Sequence, residues 1–378
     1  TDNCHENAAC TNIPGVFECS CLSGYYGDGV ACTDGEGGPS VFPSTAFTEL
    51  DIGLYWFGYG QQYCKALTGS CDSFYDPSRP TVIHVHGWQN GDTPKLKRKT
   101  FFSPAPNGPD VDTAVGWLDQ GYNIGIYYWT QFSDESNLKH AEAKIWSTEG
   151  PQAMRYRLAD ESYHEYSTEK PVSELMYDEV IAVLHDFHGS RLVIGGHSLG
   201  NQLATAVAGR LLKAAQNDQI PWALVPTRLS LLDPFYSKGA KPFLNDQWVG
   251  ERARDIVQDL KEVGVAVDAY RSSALTTTVF LGDANIELMN NVAFAEVRPW
   301  YFGTLQQEHK HVAAKWHYYW SMSSPTPPVI GTEEIGLSAS TSDARVLELM
   351  DAEYRLDQEE GQKTMTPADD VQFITDRL

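Results

Sequence analysis

The first feature of the sequence that could do chemistry is a serine between two glycines at fixed spacing. Gly196, Ser198 and Gly200 form the pattern Gly-x-Ser-x-Gly. The apolar run 192–194 before it predicts a strand buried on both faces, and the apolar residues that recur every fourth position after Leu199 predict a helix. Strand, sharp turn and helix would present the serine hydroxyl at the turn, where the glycines let strand and helix come close together. This context predicts a nucleophilic serine.

A serine nucleophile needs partners, because its hydroxyl is a weak nucleophile at neutral pH. A histidine must accept its proton, and a carboxylate must orient that histidine. On a sheet of this kind we expect the order serine, acid, histidine along the chain. Asp233 follows the buried run 228–232 and so lies at the sheet edge where active-site loops gather. Its alternative role is a helix or turn cap. Asp268 and Asp283 are rival acids.

Three histidines close together are candidates for the base. They are His309, His311 and His317. His311 begins a helical stretch, so we expect it on the loop that enters the active-site edge, and we choose it as the base. His309 remains the alternative. His317 would lie in mid-helix among bulky residues, where a packing role fits better.

The reaction also needs backbone amides that bind the developing oxyanion. One would be the amide of Leu199, directly after the nucleophile, and the other would come from the loop that leaves an early strand. The predicted strand Thr81–Val85 leads into such a loop, from which Trp88 would donate its amide. His84 and His86 share one face of that strand, as metal ligands could, but no carboxylate or cysteine partner is evident. We therefore expect no metal.

The rest of the chain predicts an α/β domain. Its 378 residues, 42% of them hydrophobic, suffice for a substantial core. Further strands are predicted at 123–129 and 228–232, and a helix at 175–188, so strands and helices alternate around a mostly parallel sheet. The net charge of -22 argues against nucleic acid and anionic membranes as partners. No apolar run is long enough for a transmembrane segment.

The seven cysteines indicate disulfides and an oxidising compartment. Five lie in the first tenth of the chain, where hydrophobic residues are too few to hold a fold alone. The absence of Cys-x-x-Cys pairs argues against a metal-binding knuckle. Cys64 and Cys71, seven residues apart, are expected to form a local disulfide. We therefore expect a secreted, extracellular protein.

The N-terminal residues resemble an EGF-like module. The resemblance rests on Asp2-Asn3-Cys4, Cys10-Thr11-Asn12, Gly15, Phe17, Cys19-Ser20-Cys21, Gly24-Tyr25 and Gly27-Asp28-Gly29. It implies disulfides between Cys4 and Cys19 and between Cys21 and Cys32, with the partner of Cys10 upstream of the first residue, so that the chain is cut. It also admits calcium at Asn12, although the acidic residues of calcium-binding members are missing. Such a module could contact another protein.

Four pieces of the larger region resemble the animal-type triacylglycerol lipases, the group that includes pancreatic lipase. The pieces are Thr81-Val82-Ile83-His84-Val85-His86-Gly87-Trp88, Gly196-His197-Ser198-Leu199-Gly200, Leu231-Leu232-Asp233-Pro234, and His311 with Tyr318. The resemblance implies an α/β-hydrolase fold, with Ser198, Asp233 and His311 as nucleophile, acid and base, and with Trp88 and Leu199 in the oxyanion hole. It departs from the family at Ala313, where an arginine is usual, and in residues 234–310, which lack the cysteines that bound the family's lid.

We therefore expect four segments. They are an EGF-like module at 1–32, a linker at 33–44, an α/β-hydrolase domain at 45–320, and an acidic tail at 321–378 that is partly disordered or helical. The expected function is that of a secreted lipase that cleaves acyl esters of glycerides through a serine acyl-enzyme, at a lipid–water interface and without a cofactor. Three alternatives stay open: phospholipase A1-type activity, a peptidase or polysaccharide esterase on the same fold, and a catalytically silent lipase-like binding or matrix protein.

Overall fold

The structure is a computed structural model. It describes residues 4–5, 8–13, 16–21, 25–27, 32–34, 42–68, 70–276 and 282–378. In the N-terminal part, β1 (Ala8–Ile13) pairs with β2 (Val16–Cys21) and β3 (Tyr25–Gly27) pairs with β4 (Cys32–Asp34), both antiparallel.

The larger region alternates strands and helices. Its strands in chain order are β5 (Gly53–Phe57), β6 (Tyr63–Lys65), β7 (Thr81–Val85), β8 (Phe102–Ser103), β9 (Val111–Asp112), β10 (Asn123–Tyr128), β11 (Arg155–Arg157), β12 (Tyr163–Glu165), β13 (Leu192–His197), β14 (Arg228–Leu232), β15 (Ala266–Arg271), β16 (Ala293–Glu296), β17 (Tyr354–Glu360) and β18 (Val371–Asp376). Its helices are α1 (Thr45–Thr48), α2 (Val115–Asp119), α3 (Thr130–Ser133), α4 (Leu138–Trp146), α5 (Val172–Val183), α6 (Gly200–Gln216), α7 (Val249–Glu262), α8 (Ile286–Met289), α9 (Gln307–Ser321) and α10 (Asp343–Asp351), with 3₁₀ turns at Tyr59–Gln61, Trp222–Leu224, Pro242–Leu244 and Pro367–Asp369.

One ten-stranded sheet organises this region. Its strand order is β18-β17-β16-β15-β14-β13-β7-β10-β5-β6. Neighbouring strands from β10 across to β17 run parallel, while β5, β6 and β18 join through antiparallel pairs. The central strands β7, β13 and β14 are buried almost throughout, as parallel strands covered on both faces must be. The predicted α/β-hydrolase fold with a mostly parallel central sheet is confirmed.

Helices α6 and α9 cover opposite faces of the sheet. Adjacent residues of β13 point to opposite faces, so two neighbouring positions of this strand show which helix lies on each side. A side chain at Gly195 would meet the Tyr319 hydroxyl of α9 at 2.9 Å, whereas one at Gly196 would meet the Cα of Asn201 in α6 at 2.6 Å. The two glycines therefore let a helix approach the strand from each side. Ser198 lies at the edge where α6 begins, and His311 is carried there by α9.

Most predicted elements in the centre of the sheet are correct. β7 and β14 have the predicted bounds, and β10 ends one residue earlier than expected. The helix predicted at 175–188 begins earlier and ends at Val183. Leu184 and Phe187 continue the apolar pattern of this helix and are buried, but they lie in the turn and loop that follow it. The apolar pattern therefore extends beyond the last residue of the helix, which is why the predicted end is too late.

The chain beyond residue 320, expected as a partly disordered or helical tail, contains helix α10 and also two strands that complete the sheet. β17 adds parallel to β16, and β18 pairs antiparallel with β17. The buried guanidinium of Arg228 in β14 holds the segment before α10 by donating to the carbonyls of Thr341 (2.8 Å) and Ser338 (3.0 Å). The same guanidinium pairs with the buried carboxylate of Asp268. The sheet domain thus does not end at 320.

The disulfide predicted between Cys64 and Cys71 is present. The predicted pairings of Cys4 with Cys19 and of Cys21 with Cys32 involve the side chains of Cys19, Cys21 and Cys32, which lie outside what the structure describes, and so does most of the predicted linker at 33–44. Among the helices that the structure describes, none combines the length and the apolar character needed to cross a bilayer.

Candidate active site

Ser198 lies at a strained turn between β13 and α6. Its φ is +58°, a left-handed conformation that is uncommon for a residue with a side chain. The flanking glycines make the turn possible: a Cβ at Gly196 would lie 2.6 Å from the Cα of Asn201, and a Cβ at Gly200 would lie 2.7 Å from the carbonyl oxygen of His86. The turn thus places Ser198 at the carboxyl edge of the sheet, as the motif predicts.

Asp233 and His311 come together at the same edge, although 78 residues separate them. His311 Nδ1 lies 2.6 Å from Asp233 Oδ2. The carboxylate is fully buried and also accepts hydrogen bonds from the Ser273 hydroxyl (2.5 Å) and the Ser272 amide (3.2 Å). A carboxylate accepts and does not donate, so Nδ1 of His311 carries the proton and Nε2 is left as the basic nitrogen. This is the tautomer that a general base requires.

His311 lies in the second turn of α9, not on a loop as expected, because the helix begins four residues earlier, at Gln307. The rival base His309 places its ring 5.4 Å from the ring of Phe302. His317 is buried, with Nε2 2.8 Å from Asp370 Oδ2. Of the three histidines, His311 is the one that bonds the carboxylate of Asp233.

The rival acids lie in other surroundings. Asp268 in β15 is fully buried, and it accepts hydrogen bonds from Arg228 Nε (3.1 Å) and from the Ser230 hydroxyl (2.7 Å). Asp283 caps the turn before α8 by accepting from the amide of Asn285 at 2.9 Å. Of the three acids, Asp233 is the one that bonds a candidate histidine base.

His197, the residue before the serine, supports His311 directly. The two rings lie 4.4 Å apart, and Nε2 of His197 is 2.8 Å from the carbonyl oxygen of His311. Since a carbonyl only accepts, Nε2 of His197 is the donor. Burial lowers the pKa of His197 well below its usual value, and the neighbouring His311 lowers it further. His197 therefore stays neutral and ties α9 to the serine turn.

The predicted oxyanion donors lie on two segments that nearly touch. A Cβ at Gly87 would lie 2.7 Å from Ser198 Cβ and 3.2 Å from the Leu199 nitrogen, so the glycine allows the loop after β7 to reach the serine turn. Leu199 is the N-cap residue of α6, and its amide precedes the first intrahelical donor. Its N–H is therefore available to a ligand at the helix N-terminus.

His86 sets the direction of the amide of Trp88, the second predicted oxyanion donor. Its Nδ1 donates to the carbonyl oxygen of Gly87 at 2.9 Å, and its Nε2 accepts from the amide of Trp129 (3.2 Å) and the hydroxyl of Thr130 (3.1 Å). In a trans peptide the N–H points opposite to the C=O. Because the Gly87 carbonyl faces His86, the amide of Trp88 faces the other way. Burial lowers the pKa of His86 to about 3, which keeps the ring in this neutral form.

The histidine pair of β7 packs among aromatic rings. The ring of His84 lies 5.1 Å from that of Tyr319, and the ring of His86 lies 5.8 Å from that of Trp129. Within the described ranges, no group of three or more His, Cys, Asp or Glu side chains is arranged to hold a metal ion.

Sequence reasoning missed four residues of the site: Ser272, Ser273, His86 and His197. The two serines follow β15, a strand that was not predicted, and a polar pair at the end of a predicted strand would have marked them. His86 was considered as a possible metal ligand and as part of a motif, and His197 only as part of a motif. Their roles depend on which carbonyl each ring faces, and no sequence pattern gives that.

Comparison with known proteins identifies the N-terminal module. Residues 1–32 match the EGF domain family. A stretch of 34 residues is 56% identical to signal peptide, CUB and EGF-like domain-containing protein 3 of Mus musculus and of Homo sapiens. That stretch is 9% of this chain and 3% of those proteins, so it concerns the module alone. The predicted EGF-like module is confirmed.

Solved structures with some likeness to the chain include a thioesterase, a peptidase and an esterase. The thioesterase domain from the curacin biosynthetic pathway is 12% identical, with a TM-score of 0.32, over 70% of this chain and 98% of that one. The acylaminoacyl peptidase of Pyrococcus horikoshii is 11% identical, with a TM-score of 0.35, over 77% and 44%. Brefeldin A esterase, described as a bacterial homologue of human hormone sensitive lipase, is 14% identical, with a TM-score of 0.20, over 57% and 46%. At these values the likenesses assign neither a family nor a substrate to this chain, and membership of the animal-type lipases stays a prediction.

Proposed function

We propose that the protein is a serine ester hydrolase that works through a covalent acyl-enzyme. The observation that carries the proposal is the bond between His311 Nδ1 and Asp233 Oδ2, formed beside the strained turn of Ser198. Ser198 attacks the carbonyl carbon of the ester while His311 Nε2 takes its proton, and His311 returns that proton to the departing alcohol. Water then attacks the acyl-enzyme by the same route and releases the acid.

The amides of Trp88 and Leu199 are the proposed oxyanion donors. The negative charge that develops on the ester oxygen in the transition state needs donors that are already in place. The close approach at Gly87 and the peptide orientation set by His86 support this role. Each such donor contributes about 3 kcal/mol to transition-state stabilisation in enzymes where one has been removed.

The rim of the site favours an acyl ester presented by lipid, such as a glyceride or a phospholipid. The segment 299–307, which leaves β16 toward α9 at this edge, contains no charged residue in a chain of net charge -22. Within it Leu305 is 96% exposed and Trp300 is 51% exposed. Exposed apolar side chains beside a catalytic site are suited to a lipid–water interface.

An extracellular location fits the proposed ester hydrolase. The EGF domain at 1–32 and the disulfide between Cys64 and Cys71 belong to proteins of oxidising compartments. We infer that the protein acts after secretion, where the EGF domain is available to contact another protein.

Hydrolysis of fluorogenic acyl esters of increasing chain length tests the reaction. We expect hydrolysis by the wild type, with a preference for longer chains, and loss of activity in Ser198→Ala. Unchanged hydrolysis in that variant would exclude the proposed nucleophile. A wild type that cleaves no acyl ester would favour the silent binding protein instead.

A matched pair of tryptophans tests the lipid interface. Trp300 is 51% exposed at the active-site edge, and Trp222 is 53% exposed before β14, at the opposite edge. In Ser198→Ala protein, which cannot consume the lipid, Trp300→Ser should weaken binding to neutral phosphatidylcholine vesicles severalfold, and Trp222→Ser should not. Equal effects of the two substitutions, or none, would contradict the lipid-facing rim.

A further inference from the structure

The oxyanion loop, residues 86–93, is anchored from behind by the end of α3. The carboxylate of Asp134 accepts hydrogen bonds from the amides of Gly91 (2.7 Å, at Oδ1) and Thr93 (2.9 Å, at Oδ2). Asp134 and Thr93 are fully buried. One carboxylate therefore fixes two successive turns of the loop that carries the proposed oxyanion donor Trp88.

A second bond joins the donor residue itself to the same segment. The indole Nε1 of Trp88 donates to the carbonyl oxygen of Glu135 at 2.6 Å. The indole nitrogen of Trp129, at the start of α3, donates to the carbonyl oxygen of His86 at 2.7 Å. The loop is thus bonded to residues at both ends of α3. We expect these bonds to restrict the backbone between His86 and Trp88.

Three cations, of which Lys144 is buried and the two arginines are partly buried, balance the two acids. Arg157 lies 3.2 Å from Asp134, while Lys144 (2.7 Å) and Arg155 (2.6 Å) pair with Glu135. Burial alone would raise the pKa of Glu135, but the bonds from Arg155 and Lys144 outweigh it and lower that pKa. A charge without partners would be costly at such a depth, and here each acid has a basic partner.

We infer that Asp134 is a positioning residue for the oxyanion hole. It touches no reacting atom, but its two hydrogen bonds hold the oxyanion loop where the Trp88 amide can meet the transition state. An oxyanion donor acts at about 2.7–3.1 Å, and misplacement by about 1 Å can cost about a hundredfold in rate. This inference rests on the proposed function, because it supposes an acyl transition state at Ser198.

The test uses Asp134→Asn in the full chain. The amide side chain keeps the shape but offers one oxygen, so its NH₂ group faces the second backbone N–H as donor against donor. We expect kcat for an acyl ester to fall about tenfold to a hundredfold while KM stays within about threefold, because the loss falls on the transition state. Affinity for a trifluoromethyl ketone, which forms a tetrahedral adduct with the serine, should fall by the same factor as kcat.

Glu179→Gln is the matched control. Glu179 Oε1 also accepts from a backbone amide, that of Leu54 at 2.8 Å, but at β5 and away from the oxyanion loop. It should leave kcat and inhibitor affinity unchanged. If Asp134→Asn does not fold, Trp88→Phe removes the indole bond to Glu135 and keeps the bulk of a ring, and it should give a smaller loss of kcat of the same kind.

Amide hydrogen exchange tests whether Asp134 holds the oxyanion loop, and it needs no substrate. Peptides covering 88–93 should lose protection in Asp134→Asn and keep it in Glu179→Gln. Unchanged protection, or a kcat within about threefold of an active wild type, would overturn the inference. If the wild type hydrolyses no acyl ester, the proposed function is wrong, and the exchange of the loop still shows whether Asp134 holds it.

Discussion

A methyl group added at Gly87 should greatly lower kcat without unfolding the protein. The Cβ of an alanine there would lie 2.7 Å from Ser198 Cβ and 2.8 Å from the carbonyl oxygen of His197. Carbon atoms in contact sit about 3.5–4.0 Å apart, so the oxyanion loop would have to retreat by about 1 Å. The Trp88 amide would then leave the range of about 2.7–3.1 Å in which a donor stabilises an oxyanion.

Loss of one such donor costs about 3 kcal/mol, or about two to three orders of magnitude in kcat. The assay is the steady-state hydrolysis of a short chromogenic ester, with the free energy of unfolding measured by urea on the same samples. We expect Gly87→Ala to lose about a hundredfold or more in kcat with a small change in KM.

Gly125→Ala provides the control for overpacking. Its Cβ would lie 2.8 Å from a ring carbon of Trp56 and 3.0 Å from a methyl carbon of Leu54, within the core at β10 and β5. Both substitutions should cost about 1–3 kcal/mol of stability, but only Gly87→Ala should lower kcat strongly. A folded Gly87→Ala protein with kcat within about threefold of the wild type would refute the placement of the oxyanion hole.

Two further predictions concern stability. Arg228→Met leaves the buried carboxylate of Asp268 without its basic partner and should lower the free energy of unfolding in urea by about 3–5 kcal/mol. Adding Asp268→Leu should recover most of that loss. Unchanged stability in the single variant would contradict the anchoring of the C-terminal strands. Lowering the pH from 7.5 to 5.5 should cost about 1.4 kcal/mol for each histidine that the fold keeps neutral, because the unfolded imidazole, with a pKa near 6.5, takes up a proton that the folded one refuses. The histidines in question are His84, His86 and His197. Urea unfolding of His86→Gln at the two pH values should show a loss smaller than that of the wild type by about this amount, and an equal loss in both proteins would argue against a neutral His86.

The sequence predicted the centre of the sheet because local and tertiary preferences agree there. β7 and β14 are short apolar runs that must be buried on both faces, and the glycines around Ser198 leave one local geometry open. Ser198 and Asp233 could be placed because each follows a recognisable strand, whereas His311 was expected on a loop and lies in the second turn of α9. Their meeting at one edge follows from the parallel order of the strands.

The C-terminal strands could not be predicted, because their signal is tertiary. β17 reads Tyr-Arg-Leu-Asp-Gln-Glu-Glu, a charged sequence that composition assigns to solvent. Its polar side chains have partners from distant segments: Asp357 pairs with Arg298 at 2.7 Å, and Gln358 donates to Asp370 at 2.7 Å. In the same way, the support of the site by Asp134 depends on backbone amides of a loop some forty residues earlier, which carry no sequence signature.

The most direct test of the central claim is active-site labelling. A fluorophosphonate reacts when a serine oxygen attacks phosphorus and displaces fluoride, so only an activated serine is labelled quickly. We expect one adduct per chain, located at Ser198 by peptide mass spectrometry, and its disappearance in Ser198→Ala and in His311→Ala. Labelling that persists in both variants, or that occurs at another serine, would contradict a nucleophile activated by His311 and Asp233.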